Sequence, residues 1–370
     1  MAKIMGFCNL HGSKQLGPLT ENRPLGSTSF LGRYALMDFT LSNFSNSGID
    51  KIGILVETNP RSISKHLGTS NVFNNNTKLG FEVVLFNEKQ AHNPLYNHDL
   101  HNLKANDWLI LDHKPDVIVI APADMLYTMD FRPVIQQHLE NNEKLTLVYT
   151  RMKNCKTSAL YADMITTQEG RLTHMVQNQR NQHEGDVSLD TYIISRSFLE
   201  QMFEKGPQIS ATYGIKELLR YFLSQGDETF GTYAYKGYVR SFESLESYFH
   251  QSMEFLDYRF RGNVFDPDWP IYTISNNTPP AQMGEKAVIK NSMIANGAVI
   301  YGTVINSIIS RNVVIEAGAH VENAILFTNS RVGKDVTIRH AILDKHVRVE
   351  KTKALIGKDT PIYIKQGEKL

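Results

Sequence analysis

The chain has 370 residues, enough for two domains of ordinary size, and its 39 basic and 38 acidic residues leave a formal net charge of +1. This balance gives no indication of a nucleic-acid or membrane-surface partner, and no apolar run is long enough to span a bilayer. The two cysteines, Cys8 and Cys155, match no metal or disulfide spacing, so we expect a cytoplasmic protein with reduced thiols.

Short apolar runs alternate with amphipathic stretches up to about residue 257. The segments KIGILVET and DVIVIAPAD are short, continuous and rich in β-branched residues, which predicts buried strands, and KLTLVYTRM and DTYIISRS are similar. Helices are predicted for RPVIQQHLENN, with Val134, Ile135 and Leu139 on one face, and for IKELLRYFLSQG, which ends at Gly226. Strands alternating with helices predict an α/β domain with a mostly parallel sheet covered on both faces.

A different pattern begins near Ala287, where aliphatic residues recur at every sixth position, as at Val288, Ile294 and Ile300. Small or turn-forming residues fill the intervals, as in NGAVIYG and EAGAHVEN. A six-residue repeat predicts one short strand and one turn per repeat, and three repeats close one coil of a parallel β-helix. The alternative, an antiparallel sandwich, predicts longer strands with strict alternation, which this segment lacks.

These patterns predict the domain organisation. The parts are an α/β domain at residues 1–258, a linker at residues 259–286 and a β-helix domain at residues 287–370. The linker is rich in Pro, Asn and Asp. We expect it to pack on the first domain through Trp269, Ile271 and Tyr272.

Three segments resemble one enzyme family. YALMDFTLSNFSNSGI is similar to the FGGxYRxIDFxLSNxxNSGI signature region of ADP-glucose pyrophosphorylases (glucose-1-phosphate adenylyltransferases). APADMLYTMDF resembles that family's GDHIYxxDY stretch, and GYVRSFESLESYFHQSMEFL resembles its GYWxDVGTxxxYxxANxxL stretch. The resemblance covers nearly the whole chain. It implies a Rossmann-like nucleotidyltransferase domain of the GT-A type, a left-handed parallel β-helix, and transfer of a nucleotidyl group from ATP to a sugar 1-phosphate with the help of Mg²⁺.

The phosphate-binding loop of that family, GGxGxRLxxLT, is changed in this chain. Counted back from the LGPLT stretch, the family's glycines fall on Leu10, His11 and Ser13, and its arginine falls on Gln15. Consecutive glycines let backbone N–H groups approach a phosphate without an intervening Cβ, so these replacements remove the close approach as well as a positive charge. Lys14 can replace some of the charge but not the three glycines.

Other positions that carry the family's chemistry are also changed. Asp124 matches the first metal-binding aspartate at the end of a strand, whereas Ser241 replaces the second, so that metal binding at Asp124 is weak at best. Without the resemblance, Asp124 is equally well interpreted as a turn residue at a strand end. Gln177 and Asn178 lie near the Glu and Lys positions of the F-x-E-K-P stretch, whose lysine binds the sugar phosphate. The candidate residues of the cleft are Lys14, Asp124, Gln177 and Asp190.

This selective loss resembles the companion subunit type of the family, called GlgD, which keeps the fold and lacks the phosphate loop. The resemblance implies a regulatory, catalytically deficient subunit in glycogen synthesis that joins a catalytic subunit in a mixed tetramer. No cofactor is expected, and Mg²⁺ is expected only with residual activity. Arg23, Arg33 and Arg61 are candidates for contacts with a sugar-phosphate or nucleotide effector, although each is also interpretable as a solvated surface arginine.

Two alternative functions remain open from the sequence. One is an active adenylyltransferase with an atypical site that uses Lys14 and Asp124. The other is a hexapeptide-repeat scaffold protein without any connection to sugar nucleotides. An assay of ADP-glucose formation by the chain alone and with a catalytic partner separates these possibilities.

Overall fold

The structure, a computed structural model, describes residues 2–12, 14–68, 72–73, 80–88, 93, 95–226, 228–275 and 277–370. Strands and helices alternate in its amino-terminal part. The strands there are β1 (Ile4–Asn9), β2 (Ser29–Phe30), β3 (Tyr34–Ala35), β4 (Lys51–Val56), β5 (Phe81–Phe86), β6 (Val117–Pro122), β7 (Met125–Tyr127), β8 (Leu145–Lys153), β9 (Asp163–Gln168), β10 (Arg171–Gln177), β11 (Glu184–Ser195), β12 (Phe230–Ala234) and β13 (Val239–Ser241). The helices are α1 (Met37–Asn46), α2 (Pro60–Leu67), α3 (Asp99–Ala105), α4 (Trp108–His113), α5 (Arg132–Glu140), α6 (Arg196–Ile209), α7 (Ile215–Gln225), α8 (Leu245–Glu254) and α9 (Tyr258–Arg261).

The main sheet has the strand order β5-β4-β1-β6-β11-β8-β12-β10-β9. The strands from β5 to β6 are all parallel, and they include the predicted strands KIGILVET as β4 and DVIVIAPAD as β6. The second half of the sheet is mixed, because β11 is inserted between β6 and β8 and runs antiparallel to both. The parallel half brings the carboxyl ends of β1, β4 and β6 to one edge, where ligands bind in α/β sheets.

The helices cover both faces of this sheet, as predicted for an α/β domain. Helix α7 buries Ile215 and Leu218 and ends at Gly226, which has a φ of +77° as expected for a helix cap. Helix α5 differs from its prediction at one position, since Leu139 is 45% exposed. The buried position of its last turn belongs to His138, whose ring nitrogens bond to hydroxyl groups of β8 and β11.

The carboxyl-terminal part is a parallel β-helix, as the six-residue repeat predicts. Its strands are β14 (Gln282–Met283), β15 (Val288–Lys290), β16 (Met293–Ile294), β17 (Val299–Ile300), β18 (Thr303–Ile305), β19 (Ile308–Ile309), β20 (Val314–Ile315), β21 (His320–Leu326), β22 (Arg331–Val332), β23 (Thr337–Leu343), β24 (Arg348–Val349), β25 (Ala354–Ile356) and β26 (Ile362–Ile364). Along one face, Val288 pairs with Thr303, Thr303 with His320, and His320 with Thr337. Each of these coils is shorter than three full hexapeptides, which accounts for the slips in phase of the repeat.

The corners of the β-helix carry residues in the left-handed backbone conformation. Asn291, Asn306 and Asn323 have φ values of 45°, 45° and 46°, and His340 follows them at 48°. Asparagine tolerates this conformation better than most residues because its short amide bonds locally. The amide Nδ2 of Asn291 donates to Oδ1 of Asn306 at 2.8 Å, so that the corners of successive coils are joined.

An aromatic cluster joins the two parts of the chain. Phe30 has its ring centroid 5.7 Å from those of both Phe242 and Phe255, in edge-to-face geometry. Tyr248 extends this cluster to Phe327 of the β-helix, with centroids 6.4 Å apart and rings at 90°. Burial of aromatic side chains is a large apolar contribution to stability, and these contacts therefore hold the β-helix against the α/β domain.

The linker segment lies on helix α1. Trp269 donates from Nε1 to Oδ1 of Asn43 at 3.1 Å, and the backbone N–H of Tyr272 donates to Oγ of Ser42 at 2.9 Å. Ile271 packs against the aromatic cluster. In the part of the chain that the structure describes, no helix has the length and apolar character needed to cross a membrane.

Candidate catalytic cleft

Helix α1 holds the end of strand β6 in place through polar side chains. Thr40 donates from Oγ1 to the carbonyl of Pro122 at 2.7 Å, and Asn43 donates from Nδ2 to the carbonyl of Tyr127 at 3.0 Å. These two bonds flank Asp124, which follows β6 directly. The signature segment MDFTLSN therefore has a structural role here, because it positions the segment that carries the candidate metal residue.

Asp38 begins this helix as a fully buried carboxylate. Its Oδ2 accepts a bond from the backbone N–H of Ala35 at 2.9 Å, and its Oδ1 accepts one from Nε2 of His66 at 2.6 Å. Both oxygens of the buried charge therefore have a donor, which offsets the cost of desolvation. Asp38 is committed to these contacts, and it belongs to the frame of the cleft.

Strand pairing brings Ser241 next to the segment that carries Asp124. Strand β13 runs antiparallel to β7, with Ser241 opposite Met125, the residue after Asp124. Ser241 is only 4% exposed, so this residue lies inside the protein. The two positions that a pair of metal-binding carboxylates would need are thus adjacent in the fold.

Lys14 occupies the space between these two positions. Its Nζ donates a short hydrogen bond to Oγ of Ser241 and lies 3.5 Å from Oδ2 of Asp124. The same nitrogen lies 3.8 Å from Oε1 of Glu243, and the Lys14 side chain is only 4% exposed. The ammonium group is therefore surrounded by two carboxylates and a hydroxyl from separate segments of the chain.

Glu243 was not among the residues that the sequence singled out. Its side chain is 7% exposed, and neither carboxylate oxygen accepts a hydrogen bond from the described residues. The signal that could have found it is the family stretch GYWxDVGT, in which Ser241 stands at the aspartate and Glu243 stands at the glycine two residues later. Alternate residues of an extended segment lie on the same side, which places the two side chains together.

With the Lys14 ammonium in place, this cluster does not fit Mg²⁺. The ion needs oxygen ligands at about 2.0–2.1 Å in octahedral geometry, and it favours carboxylates and water. An ion shared by Asp124 and Ser241 would need the volume that the Lys14 ammonium fills. Within the described residues, no group of three or more His, Cys, Asp or Glu side chains is arranged to hold a metal ion.

The start of the loop after β1 is filled by Leu10. The Leu10 side chain is 2% exposed. It packs so closely against Gly26 that a Cβ added to this glycine would lie 2.5 Å from Cδ2 of Leu10. Ala123 packs against the same point, at 3.0 Å from that Cβ position. The Leu10 side chain therefore packs inside the protein, and the backbone N–H of Leu10 donates to the carbonyl of Leu55 at 2.9 Å.

Hydrogen bonds within the protein hold the next two residues of the loop, His11 and Gly12. His11 accepts a bond at Nε2 from Nδ2 of Asn102 at 2.8 Å, and burial lowers the pKa of His11 to about 4. The backbone N–H of Gly12 donates to Oε2 of Glu57 at 3.1 Å, so a carboxylate takes the donor that a phosphate would use. Gln15, at the position of the family's arginine, is exposed, and Ser13 lies outside the described residues.

The remaining candidate residues of the cleft, and Asn178 next to Gln177, have surroundings different from the Lys14 cluster. Gln177 is exposed at the end of β10, and Asn178 is buried in a turn, where its Nδ2 donates to the carbonyls of Cys155 and Ala159. Asp190 accepts a bond from Nζ of Lys216 at 2.9 Å. Asn178 and Asp190 are thus bonded within the protein, whereas Gln177 is exposed, and Lys216 was not predicted from the sequence.

Lys216 belongs to a group of four alternating charges. Its Nζ lies 3.6 Å from Oδ2 of the fully buried Asp163, and Arg220 forms a short ion pair with the same carboxylate. Burial opposes the charge on Lys216, but Asp190 and Asp163 outweigh it and raise the pKa of this lysine. The group neutralises itself and presents no unpaired cation to an anionic ligand.

The three candidate effector arginines differ in their surroundings. Arg33 and Arg61 are exposed, whereas Arg23 is buried and forms an ion pair with Asp344 of the β-helix. The backbone carbonyl of Arg33 accepts a bond from Oγ1 of Thr273 at 3.3 Å. Arg23 is thus a contact between the two parts of the chain and not a solvated surface residue.

The fold and this cleft define an α/β nucleotidyltransferase joined to a β-helix, and comparison with known proteins supports this class. The chain belongs to the nucleotidyl transferase family, whose pattern matches residues 12–234. The GlmU-like C-terminal hexapeptide region matches residues 278–362.

Relatives over nearly the whole chain are glucose-1-phosphate adenylyltransferases. The one from Bacillus thuringiensis (strain Al Hakam) is 26% identical over 340 residues, which cover 91% of this chain and 90% of the relative. The one from Fervidobacterium nodosum is 29% identical over 358 residues, with coverages of 95% and 85%. The one from Desulfitobacterium hafniense is 28% identical over 339 residues, with coverages of 90% and 84%. These similarities agree with the family resemblance in the sequence, and they do not distinguish between subunit types.

Proposed function

We propose that this chain is a catalytically deficient, regulatory subunit of ADP-glucose pyrophosphorylase, of the GlgD type, which acts in the cytoplasm in glycogen synthesis. The observation that carries the proposal is the position of Lys14, whose ammonium lies between Asp124 and Ser241. Its relatives are named glucose-1-phosphate adenylyltransferases, and the proposed partner is a catalytic subunit of that kind.

The chemistry of nucleotidyl transfer explains why a filled cleft favours this function. The protein must hold two anions in line and stabilise the charge that develops on the transferring phosphate. Donors and cations achieve this only if they are free to face the substrate. In this chain, the N–H of Leu10 donates to Leu55, the N–H of Gly12 donates to Glu57, and Ser241 offers a neutral oxygen instead of a carboxylate.

The regulatory part of the proposal concerns the junction of the two parts of the chain. Arg33 is exposed there. The pKa of the nearby Arg311 is lowered mainly by burial and further by the positive charge of Arg33. The exposed guanidinium of Arg33 is a suitable contact for an anionic sugar phosphate or nucleotide, whereas Arg311 is 7% exposed and donates to the carbonyl of Ile274 at 2.7 Å. Such an effector would act by shifting the equilibrium of the mixed assembly, and typical coupling free energies are about 1–3 kcal/mol.

The experiment that tests the proposal is an assay of ADP-glucose formation with this chain alone, the catalytic subunit alone, and both together. Alone, the chain should turn over at least about 100-fold more slowly than the catalytic subunit, because one lost charge contact in such a site costs roughly 100- to 1000-fold. Titrated into a fixed amount of catalytic subunit, it should change the maximal rate, the substrate KM or the effector response.

Two outcomes would contradict the proposal. Turnover by the chain alone within tenfold of the catalytic subunit would favour the second candidate, an active enzyme that uses Lys14 and Asp124 directly. Constant kinetics in the presence of a demonstrated mixed complex would mean that the chain is a passive structural partner. The variant Arg132→Gln, which removes one exposed positive charge that is paired with Asp130, serves as a control for the titration.

The proposed assembly is a mixed tetramer. Closed symmetric assemblies are the usual outcome for proteins that associate through defined surfaces. Light scattering of this chain alone should give at least a dimer, and addition of the catalytic subunit should shift the mass to that of a tetramer. A monomer in both samples would contradict the assembly while leaving the activity measurement to decide the catalytic part.

A further inference from the structure

Two separate segments of the chain supply oxygen atoms around one buried nitrogen. Nζ of Lys14 lies 3.5 Å from Oδ2 of Asp124 and 3.8 Å from Oε1 of Glu243, and it donates to Oγ of Ser241. The Lys14 and Glu243 side chains are 4% and 7% exposed, and Asp124 is 16% exposed. Water therefore screens these charges weakly, and their balance has to be met within the protein.

We propose that Lys14 is a tethered cation that takes the place of the divalent metal ion, so that the cleft does not bind Mg²⁺ at Asp124. The proposal rests on the proposed function in one respect, namely that Asp124 stands at the family's metal position. It goes further in assigning a specific occupant to that position. The cleft then contains an ionic cluster in which a lysine replaces the metal ion, and it differs from a metal site that simply lacks some of its metal ligands.

The charges of the cluster support this assignment. Two buried carboxylates require a positive partner, and in this chain the partner comes from the loop after β1. Without the ammonium, Asp124 and Glu243 would face each other with only a hydroxyl between them. Two carboxylates and a hydroxyl are hard oxygen donors of the kind that Mg²⁺ and Mn²⁺ prefer.

The incomplete bonding of Glu243 is an independent observation. Both carboxylate oxygens are buried, and neither accepts a hydrogen bond from the part of the chain that is described. A buried carboxylate without donors is costly unless a cation lies near it, and Lys14 meets this condition at 3.8 Å. The Glu243 carboxylate is therefore stabilised at this position only if Lys14 or another cation lies beside it.

The sequence changes at the cluster are also mutually compensating. The family stretch has an aspartate at position 241 and a glycine at position 243, whereas this chain has Ser241 and Glu243. One carboxylate is lost and another is gained two residues later, while Lys14 replaces the positive charge that Gln15 removes. The carboxylate at position 243 lies 3.8 Å from the cation that balances it.

The test is Mn²⁺ binding to the full chain, measured by the electron paramagnetic resonance signal of the free ion. The proteins compared are wild type, Lys14→Gln, Asp124→Asn, Lys14→Gln/Asp124→Asn and the control Lys104→Gln. Lys104 donates to the backbone carbonyl of Phe203, so its replacement removes one positive charge without opening the Asp124 cluster. We expect Lys14→Gln to bind Mn²⁺ at least about tenfold more tightly than wild type, and the added Asp124→Asn change to abolish the gain.

A second measurement keeps the proposal testable if Lys14→Gln does not fold. The labelling rate of the Lys14 amine by an acylating reagent is followed in the native wild-type chain with and without Mn²⁺. A rate that Mn²⁺ leaves unchanged supports a fixed lysine, whereas faster labelling in Mn²⁺ would mean that the metal displaces it and would overturn the proposal.

Other results also overturn it. These are tight Mn²⁺ binding by wild type that Asp124→Asn removes, and a folded Lys14→Gln variant that binds no more Mn²⁺ than Lys104→Gln. Neither result depends on turnover. A failure of this inference is therefore distinguishable from a failure of the proposed regulatory function, which the ADP-glucose assay decides.

Discussion

Arg23 and Asp344 form a buried ion pair that links the segment after β1 to the β-helix, although 321 positions separate them in the chain. Their side chains are 5% and 2% exposed. The carboxylate also accepts bonds from the hydroxyl of Tyr363 at 2.5 Å and from the backbone N–H of Lys345 at 2.7 Å. The charge at the junction is therefore well supplied with donors, as a buried ion pair requires.

Removal of one partner from this pair should destabilise the protein strongly. Arg23→Met leaves the Asp344 carboxylate buried without its cation, and Asp344→Asn leaves the Arg23 guanidinium buried without its anion. Breaking a buried ion pair in this way typically costs about 3–5 kcal/mol. The double variant should cost less than the sum of the single ones, because neither charge is then left alone. Urea unfolding of all four proteins measures this coupling. Additive free energies would show that the pair does not act as a unit.

Leu10 and Gly26 should behave as a size-matched pair. Leu10→Ala removes a buried side chain and should cost about 2–5 kcal/mol. Gly26→Ala places a Cβ 2.5 Å from Leu10 Cδ2 and should cost about 1–3 kcal/mol through overpacking. In the double variant the new methyl group fits into the space left by the leucine, so its cost should fall below the sum. Strict additivity in thermal or urea unfolding would contradict this contact.

His11 should make stability depend on pH in the acid range. Burial lowers its pKa from 6.5 to about 4, against the opposing effect of Asp99, whereas the nearby His98 lowers it further. Between pH 6.5 and 4 the unfolded chain therefore binds a proton that the folded chain excludes, and the free energy of unfolding falls as the pH falls. Above pH 6.5 this contribution is constant.

The matched variant for this prediction is His11→Gln, which has no titrating ring. The difference in unfolding free energy between wild type and His11→Gln should be constant above pH 6.5 and should shift against wild type as the pH approaches 4. A ring resonance of His11 that titrates near 6.5 in the folded protein would contradict the prediction.

Ser241→Asp should not restore catalysis. The new carboxylate would lie beside the Lys14 ammonium and would pair with it, while Leu10 and His11 would still occupy the loop. Each charge contact in a phosphoryl-transfer site accounts for roughly 100- to 1000-fold in rate. Restoring one group therefore leaves the rate loss from the other changed residues in place. ADP-glucose formation by the variant alone should stay within about tenfold of the wild-type baseline. A larger rise would mean that position 241 alone limits the reaction.

The local pattern of the sequence determined most of the fold. Continuous β-branched runs identified β4 and β6, a glycine at the end of an amphipathic pattern identified the end of α7, and the six-residue repeat identified the β-helix. Each of these features depends on residues close together in the chain, so periodicity carries the information. The exposure of Leu139 was not predicted because its cause is tertiary: the neighbouring His138 is buried, and its ring bonds to hydroxyl groups on the sheet, one of them 57 positions away.

The sequence also determined which chemical groups are missing from the cleft, since the loop glycines and the aspartate at position 241 are read residue by residue. Only the tertiary structure decided what fills their places. Lys14 meets Ser241 across 227 positions, and Arg23 meets Asp344 across 321. A charged side chain pairs with whatever the fold brings within a few ångströms, and no periodicity along the chain records that distance. For the same reason the sequence could name Asp190 as a cleft residue, but only the fold showed that Lys216 already binds it.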